Sequence, residues 1–314
     1  MRTCRLCESD QLADTDRGVR DFEYQSPGAY TYRRCEACGL LNIDPVPDEA
    51  VLSRAYPDNY HAYLPHRTAL ARFMKKRYWR KKARRCARYV DTDAAILDAG
   101  CAFGDLLVEL KRLGFDNVKG LDFKADVVET ARRQGLDVYQ GQIDSGLFGE
   151  QSLDMIVMTN FIEHVYDPVE TLRQCHALLR PGGVVVGETP NVDSWDYALF
   201  RREWGGYHTP RHLYLFNTQN LERLAGEAGL EVKAISNLLQ PAHWALSVQN
   251  HLQESRVRPR LVNGRSRLFT PLLLLSLPIN VAQMAVSQTS LVEFVFAKPG
   301  RRPVITGKEA TQSC

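Results

Sequence analysis

The sequence lacks a stretch long and apolar enough to span a bilayer. Its most apolar run, LFTPLLLLSLPINV at 268–281, is interrupted by Pro271 and Pro278. The opening MRTCRLCESD has no apolar core ahead of its first cysteines, so no secretory leader is read there and a cytoplasmic location is expected. An excess of one charge is lacking too. Forty Lys and Arg against 37 Asp and Glu leave a formal +3, too little to argue for a nucleic-acid partner by itself. No internal repeat or low-complexity tract is found. What remains is an ordinary globular composition, 44% apolar and 25% charged over 314 residues, room for one large domain and a smaller unit.

The cysteines are the first positive signal. Four of the eight form two tight pairs, Cys4-x-x-Cys7 and Cys35-x-x-Cys38; Cys86, Cys101, Cys175 and Cys314 are scattered. In a cytoplasmic chain, two such knuckles read as a metal site before a disulfide framework. Each knuckle can present two thiolates from one tight loop, and tetrahedral zinc takes four. Structural zinc on Cys4, Cys7, Cys35 and Cys38 is the expectation; a redox pair or idle cysteines are the alternatives. Residues 1–45 thus resemble a zinc ribbon, a unit whose core is too small to fold without its metal.

Residues 46–65 read as a Pro- and Tyr-rich connector. Residues 66–90 read as a helix with eleven Lys and Arg on all its sides, either a solvated cover for the next domain or a dock for an anionic partner. From residue 94 strand and helix signals alternate, within a domain expected over 91–299. Strands are expected near 94–98, 118–122, 136–139, 153–159, 183–189 and 230–237, with helices near 104–113, 124–134, 168–180 and 218–228. RPGG at 180–183 is expected to stop a helix before the next strand. The pattern implies an α/β domain with a mostly parallel sheet. Residues 265–288 form an apolar helical segment, packed on the core or lying against a membrane, and LVEFVFAKP at 291–299 reads as a last strand. Residues 300–314 are expected to be disordered.

ILDAGCAFGDLL, at 96–107, reads as a buried strand, a glycine turn and a helix start. Ligands of open parallel sheets bind at such strand ends. A P-loop needs Lys-Ser or Lys-Thr after its last glycine, and Gly104 is followed by Asp105 and Leu106. A dinucleotide fingerprint counted from Gly100 finds Ala102 and Asp105 where glycines belong, and Asp105 would oppose a pyrophosphate. S-adenosylmethionine fits better, because its sulfonium and amino group suit carboxylates near the turn. Ala102 is expected to have ordinary backbone angles. Asp122, at the tip of the second strand, can accept both hydroxyls of a ribose.

ILDAGCAFG, GLDF, GQID, LDMIVMTNFIEHVYDP and LLRPGGVVVGETPN follow one another over about residues 91–240. In order and spacing they resemble the class I S-adenosylmethionine-dependent methyltransferases. The resemblance implies a Rossmann-like seven-stranded sheet, order 3-2-1-4-5-7-6, with an antiparallel seventh strand. It implies that Asp98, Gly100, Cys101 and Gly104 surround the methionine moiety, that Asp122 binds the ribose, and that Phe123 lies beside the adenine. Gln142 and Ile143 stand where relatives often carry an acid at the adenine amine. Asn160 would sit near the methionine end.

The tip TNFIEHV is unlike the N/D-P-P-Y type of base-amine methyltransferases, and EH followed by DP resembles the small-molecule and sugar branch, ubiquinone-type O-methyltransferases included. A four-cysteine module ahead of this domain is similar to sugar C-methyltransferases; those carry a further C-terminal domain for which this chain has no room, which counts against C-methylation. Oxygen is the expected acceptor atom. The acceptor would be a small molecule, a glycan or a lipid-linked precursor, and nucleic acid is not the expected partner. WGGYHTPRHLYLF, 204–216, should overhang the cofactor. His208 is the favoured general base, with His212 and His164 as further candidates. A zinc-ribbon RNA methyltransferase and a non-catalytic binding protein are the alternatives, and residues 265–287 are the candidate for peripheral membrane contact.

Overall fold

Around the two cysteine pairs the chain forms antiparallel strands β1 (Leu12–Val19), β2 (Tyr30–Cys35) and β3 (Leu41–Asp44). The computed structural model describes residues 3–57, 69–143 and 146–300. Part of the expected connector, the start of the basic helix and the expected tail beyond residue 300 lie outside them. Three short strands bury too little to stand alone. The sheet gains a fourth, β9 (Tyr214–Leu215), which pairs antiparallel with Leu41 and Asn42. The buried Tyr30, Tyr32 and Cys35 of β2 thereby join one core with Tyr207, Leu213 and Phe216. The cysteine module is a wall of the larger domain rather than a bead on a linker.

The main sheet contains β4 (Ile96–Ala99), β5 (Val118–Asp122), β6 (Val138–Gln140), β7 (Leu153–Thr159), β8 (Leu179–Pro190), β10 (Glu231–Asn237) and β13 (Leu291–Ala297). Its order is β6-β5-β4-β7-β8-β13-β10, with β13 antiparallel to both neighbours. Counted within the domain this is 3-2-1-4-5-7-6, as expected. All four residues of β4 are buried, as a strand covered on both faces requires. The helices α3 (Asp105–Arg112), α4 (Ala125–Arg133), α5 (Pro168–Leu178) and α7 (Thr218–Glu227) fall near their expected places. α5 stops at Leu178, just ahead of RPGG, but β8 starts at Leu179 rather than after the glycines, because Leu179 pairs with Leu153 of β7 and the Gly182 N–H donates to the Lys298 carbonyl (3.0 Å). Elements with no clear sequence signal are α1 (Glu49–Arg54), α6 (Trp195–Phe200), α8 (Pro241–Glu254) and the hairpin β11 (Leu261–Val262) and β12 (Arg265–Ser266). The apolar segment forms α9 (Phe269–Ala285). No helix among the described residues is long and apolar enough to cross a membrane.

The basic helix is α2 (Ala69–Cys86), and part of its charge points inward. Lys82 is fully buried and pairs with Glu188 of β8 at 2.9 Å. Arg85 reaches Glu188 and, at 3.0 Å, Glu293 of β13; the Tyr78 hydroxyl donates to Glu188 at 2.7 Å. Lys75 meets Asp105 of α3 at 2.7 Å. These contacts make α2 a clasp on the domain, and they leave fewer of its cations for an anionic partner.

A second buried ion cluster joins the cysteine module to the segment before β9. The side chain of Arg211 is fully buried and meets Asp21 at 3.2 Å and Glu23 at 3.3 Å, and it donates to the Ala55 carbonyl at 2.9 Å. Removing one partner of such a cluster leaves uncompensated charge in a low dielectric. Arg211→Met should lower the unfolding free energy by about 3–5 kcal/mol in denaturant titration. Adding Asp21→Asn and Glu23→Gln should restore part of it.

Candidate functional site

At the carboxyl end of β4 the backbone turns through Gly100, Cys101, Ala102, Phe103 and Gly104 into α3. Gly100 (φ +74°) and Gly104 (φ +76°) are left-handed, and each is also sterically confined. A Cβ on Gly100 would come within 2.9 Å of the Phe161 ring, and one on Gly104 would collide with Leu136. Ala102 corrects the sequence expectation, because its φ is +46° and not ordinary. An L-residue in that region costs about 1–2 kcal/mol, and the Ala102 N–H is held there by donating to Asp122 Oδ2 at 3.0 Å. Asp122 also accepts from the Lys124 N–H at 3.0 Å. One carboxylate at the tip of β5 therefore fixes the turn that follows β4.

Asp98 is buried at the end of β4, and burial pushes its carboxyl up to about 7 against the pull of Lys82. Burial also raises Asp122, opposed by its backbone donors. Cys101 turns its side chain inward, where its sulfur packs over Gly120 of β5, so it offers the turn only its backbone. Phe123 is 55% exposed, with Tyr56 edge-on at 6.0 Å. Gln142 is exposed and Ile143 is buried. Asn160, exposed at the tip of β7 with φ +48°, donates its N–H to the Glu188 carbonyl. These residues gather at one end of the sheet, where the order reverses between β4 and β7.

The three candidate histidines form a row beside that end. The rings of His164 and His212 are 4.6 Å apart, and those of His212 and His208 5.0 Å apart. His164 donates from Nδ1 to the Arg211 carbonyl (3.0 Å), and His212 from Nδ1 to the Gly206 carbonyl (2.9 Å). Burial depresses both imidazoles, His164 to about 4. Glu163, between them, is buried and raised to about 8; its Oε2 accepts from Thr189 and its Oε1 lies 3.9 Å from His212 Nε2. His208 differs. Its Nδ1 meets Glu23 Oε2 at 2.7 Å, its side chain is 16% exposed, and its φ is +41°. A carboxylate on Nδ1 fixes the tautomer that keeps Nε2 as a proton acceptor. Glu23 escaped the sequence reading because it lies in the cysteine module, far from His208 along the chain.

In that module the Cys4 and Cys38 sulfurs are 3.6 Å apart, and those of Cys7 and Cys35 are 3.4 Å apart, with all four within 4.8 Å. A disulfide would need about 2.05 Å, whereas sulfurs about 2.3 Å from a tetrahedral centre fit this spacing. The two knuckles are built alike. The Glu8 N–H donates to the Cys4 carbonyl and the Gly39 N–H to the Cys35 carbonyl, with Glu8 (φ +60°) and Gly39 (φ +80°) both left-handed.

Residues 70–235 match the family model described as a methyltransferase domain. The chain belongs to that family. It is 30% identical over 163 residues to a "Probable S-adenosylmethionine-dependent methyltransferase" of Mycolicibacterium smegmatis, covering 49% of this chain and 57% of that one. It is 31% identical over 156 residues to the ubiquinone biosynthesis O-methyltransferase of Pseudomonas aeruginosa, covering 46% and 67%. The chain thus spans about half to two thirds of the length of these curated relatives. Among solved structures, a complex containing the Haloferax volcanii Trm112 methyltransferase activator matches 73% of this chain and 93% of that chain, with TM-score 0.50 and 18% identity. A Haemonchus contortus N-methyltransferase holding phosphomonomethylethanolamine and S-adenosylhomocysteine matches 70% and 53%, with TM-score 0.50 and 17% identity. At such identities the likeness concerns the fold. It is the class I methyltransferase fold, with the turn after β4 at its usual switch point.

Gly104→Ala should destabilise the domain by about 1–3 kcal/mol, from overpacking and an unfavourable φ. Ala102→Gly should leave stability within about 1 kcal/mol of the parent. Thermal and denaturant unfolding of the two variants check this contrast.

Proposed function

We propose that the protein transfers a methyl group from S-adenosylmethionine to an oxygen of a small-molecule, glycan or lipid-linked acceptor. The observation that carries this reading is the Asp122 carboxylate holding the Ala102 amide at the end of a parallel sheet, in a chain of the methyltransferase-domain family. When bound, the cofactor supplies a methyl group already activated on a sulfonium. Asp122 would take the ribose hydroxyls, with the Phe123 ring on the adenine and Gln142 and Ile143 at its amine edge. Gly100 and Gly104 let the backbone approach the methionine portion, and Asp98 and Asn160 favour its cationic end. His208 Nε2 would receive the acceptor's proton while Glu23 holds Nδ1. His164 and His212, buried and tied to backbone carbonyls, fit a supporting role better.

Cys4, Cys7, Cys35 and Cys38 would hold a structural zinc, which ties the start of β1 to the end of β2. The inward pairing of Lys75, Lys82 and Arg85 makes an RNA-backbone role for α2 less favoured than a cover for the cofactor domain. A cytoplasmic location fits this reading. A lipid-linked acceptor would bring the chain to a membrane surface, through residues 265–287.

Calorimetry should register S-adenosylmethionine binding, weakened about 10- to 100-fold by Asp122→Ala through loss of charge-assisted hydrogen bonds. Absence of binding to the parent chain would end the proposal. A cationic ligand favours ionised Asp98, which in the free protein protonates near 7. Affinity should therefore rise with pH between 6 and 8, by at most about tenfold per unit for one linked proton, and Asp98→Asn should flatten the dependence. Elemental analysis of purified protein should return one zinc per chain, and Cys35→Ser should lose it.

A further inference from the structure

Helix α9 is built inside out. Ser276, Asn280 and Gln283, spaced to share one face of the helix, are the residues it buries, together with Phe269 at its start. Gln283 donates to Asp196 at 3.1 Å and accepts from the Trp244 indole at 2.7 Å and from Asn280 at 3.0 Å. Asn280 accepts from the Gln240 N–H at 2.7 Å. The outer face carries the apolar side chains: Leu274 is 67% exposed, Leu275 71% and Val281 52%. A helix serving a water-facing surface has the opposite arrangement.

The chain leading into α9 supplies a charge of one sign. Arg256, Arg258, Arg260, Arg265 and Arg267 are all exposed, and no Asp or Glu occurs from 255 through 292. Arg265 lies over the Phe269 ring at 4.4 Å, so cation and apolar face adjoin. Val262, at the tip of the β11–β12 hairpin between these arginines, is 62% exposed. An apolar face rimmed by arginines suits a leaflet with anionic headgroups, where the leucines enter the acyl boundary and each guanidinium meets phosphate. A second copy of the chain fits less well, because a twofold contact would bring two sets of five cations together without counter-charge.

We propose that α9 and the 256–267 segment form a docking surface for an anionic lipid bilayer, on which the helix lies in the interfacial plane. The surface also bears on the acceptor. α8 lies between α9 and the 204–208 segment, with Ser247 Oγ accepting from the Gly205 N–H at 2.8 Å and Asn250 donating to the Glu203 carbonyl at 3.0 Å. A docked enzyme would therefore present His208 close to the membrane, which favours an acceptor anchored there over a freely diffusing one. That consequence rests on the methyltransferase reading; the docking does not.

Vesicle flotation of the full chain tests the docking. Vesicles containing phosphatidylglycerol should carry the protein upward and pure phosphatidylcholine vesicles should carry much less. Raising salt from about 0.1 to 0.5 M should weaken the anionic binding at least about tenfold. Leu274→Asp with Leu275→Asp, at exposed positions, should abolish flotation while S-adenosylmethionine calorimetry stays unchanged. Replacing the five arginines by Gln should remove the preference for anionic lipid. No flotation of the parent chain, or equal flotation of the leucine variant, overturns the proposal. So does a parent dimer that the leucine variant turns into monomer without either form binding vesicles.

Discussion

A buried guanidinium decides how the cysteine module meets the 204–216 segment. Arg211 has no solvent to neutralise it, so Asp21 and Glu23 must be within reach whenever the 204–216 segment is folded. The neighbours of Arg211 repeat the demand. The hydroxyl of Tyr207 donates to Asp16, Tyr32 meets both Thr209 and the His212 carbonyl, and β9 completes the sheet of the cysteine module. Each bond crosses from the first 45 residues to the 204–216 segment. The segment that overhangs the sheet's end thus takes its shape from the module beside it, and His208 is held to that module through Glu23.

The cofactor half is constrained locally. Its turn is set by strand β4, two glycines with no room for a side chain, and one carboxylate at the tip of the adjacent strand. All of these lie between residues 96 and 124. Ala102 shows how firmly the turn is held: its left-handed backbone is unfavourable for alanine, yet the bond to Asp122 keeps it there. A short stretch that carries its own constraints can be read from a one-dimensional pattern, and the Asp98–Gly104 turn and Asp122 were legible for that reason, whereas the strand order came only through the resemblance of the successive motifs to a known family.

The other half was not. His208 stood out in the sequence by chemistry alone, while Glu23, which gives it a fixed tautomer, had no signal in its own neighbourhood. Strand β9 is two residues long and pairs with β3, so no periodicity could announce it. The stop that RPGG signals holds for α5, but pairing of Leu179 with Leu153 of β7 starts β8 ahead of the glycines. The backbone of Ala102 was misjudged because propensity describes the average alanine, and this one is fastened by a partner twenty residues away.

Helices α2 and α9 reverse what their compositions suggest, and for one reason. α2 is crowded with cations, yet Lys82 is fully buried, because Glu188 and Glu293 stand on the strands that it crosses. α9 is crowded with leucines, yet it turns Asn280 and Gln283 inward, because Asp196, Trp244 and the Gln240 amide offer them bonds. A polar group can be buried wherever its bonds are met, so the partners available on the neighbouring surface decide which face of a helix goes inside. Once most of the inner face of α9 is committed to polar partners, Leu272 and Leu273 pack beside Phe269 and Leu246, and Leu274, Leu275 and Leu277 are left outside. An exposed row of leucines beside five arginines is then the direct result of how the helix is anchored, and the cost of leaving it in water is what a lipid surface would relieve.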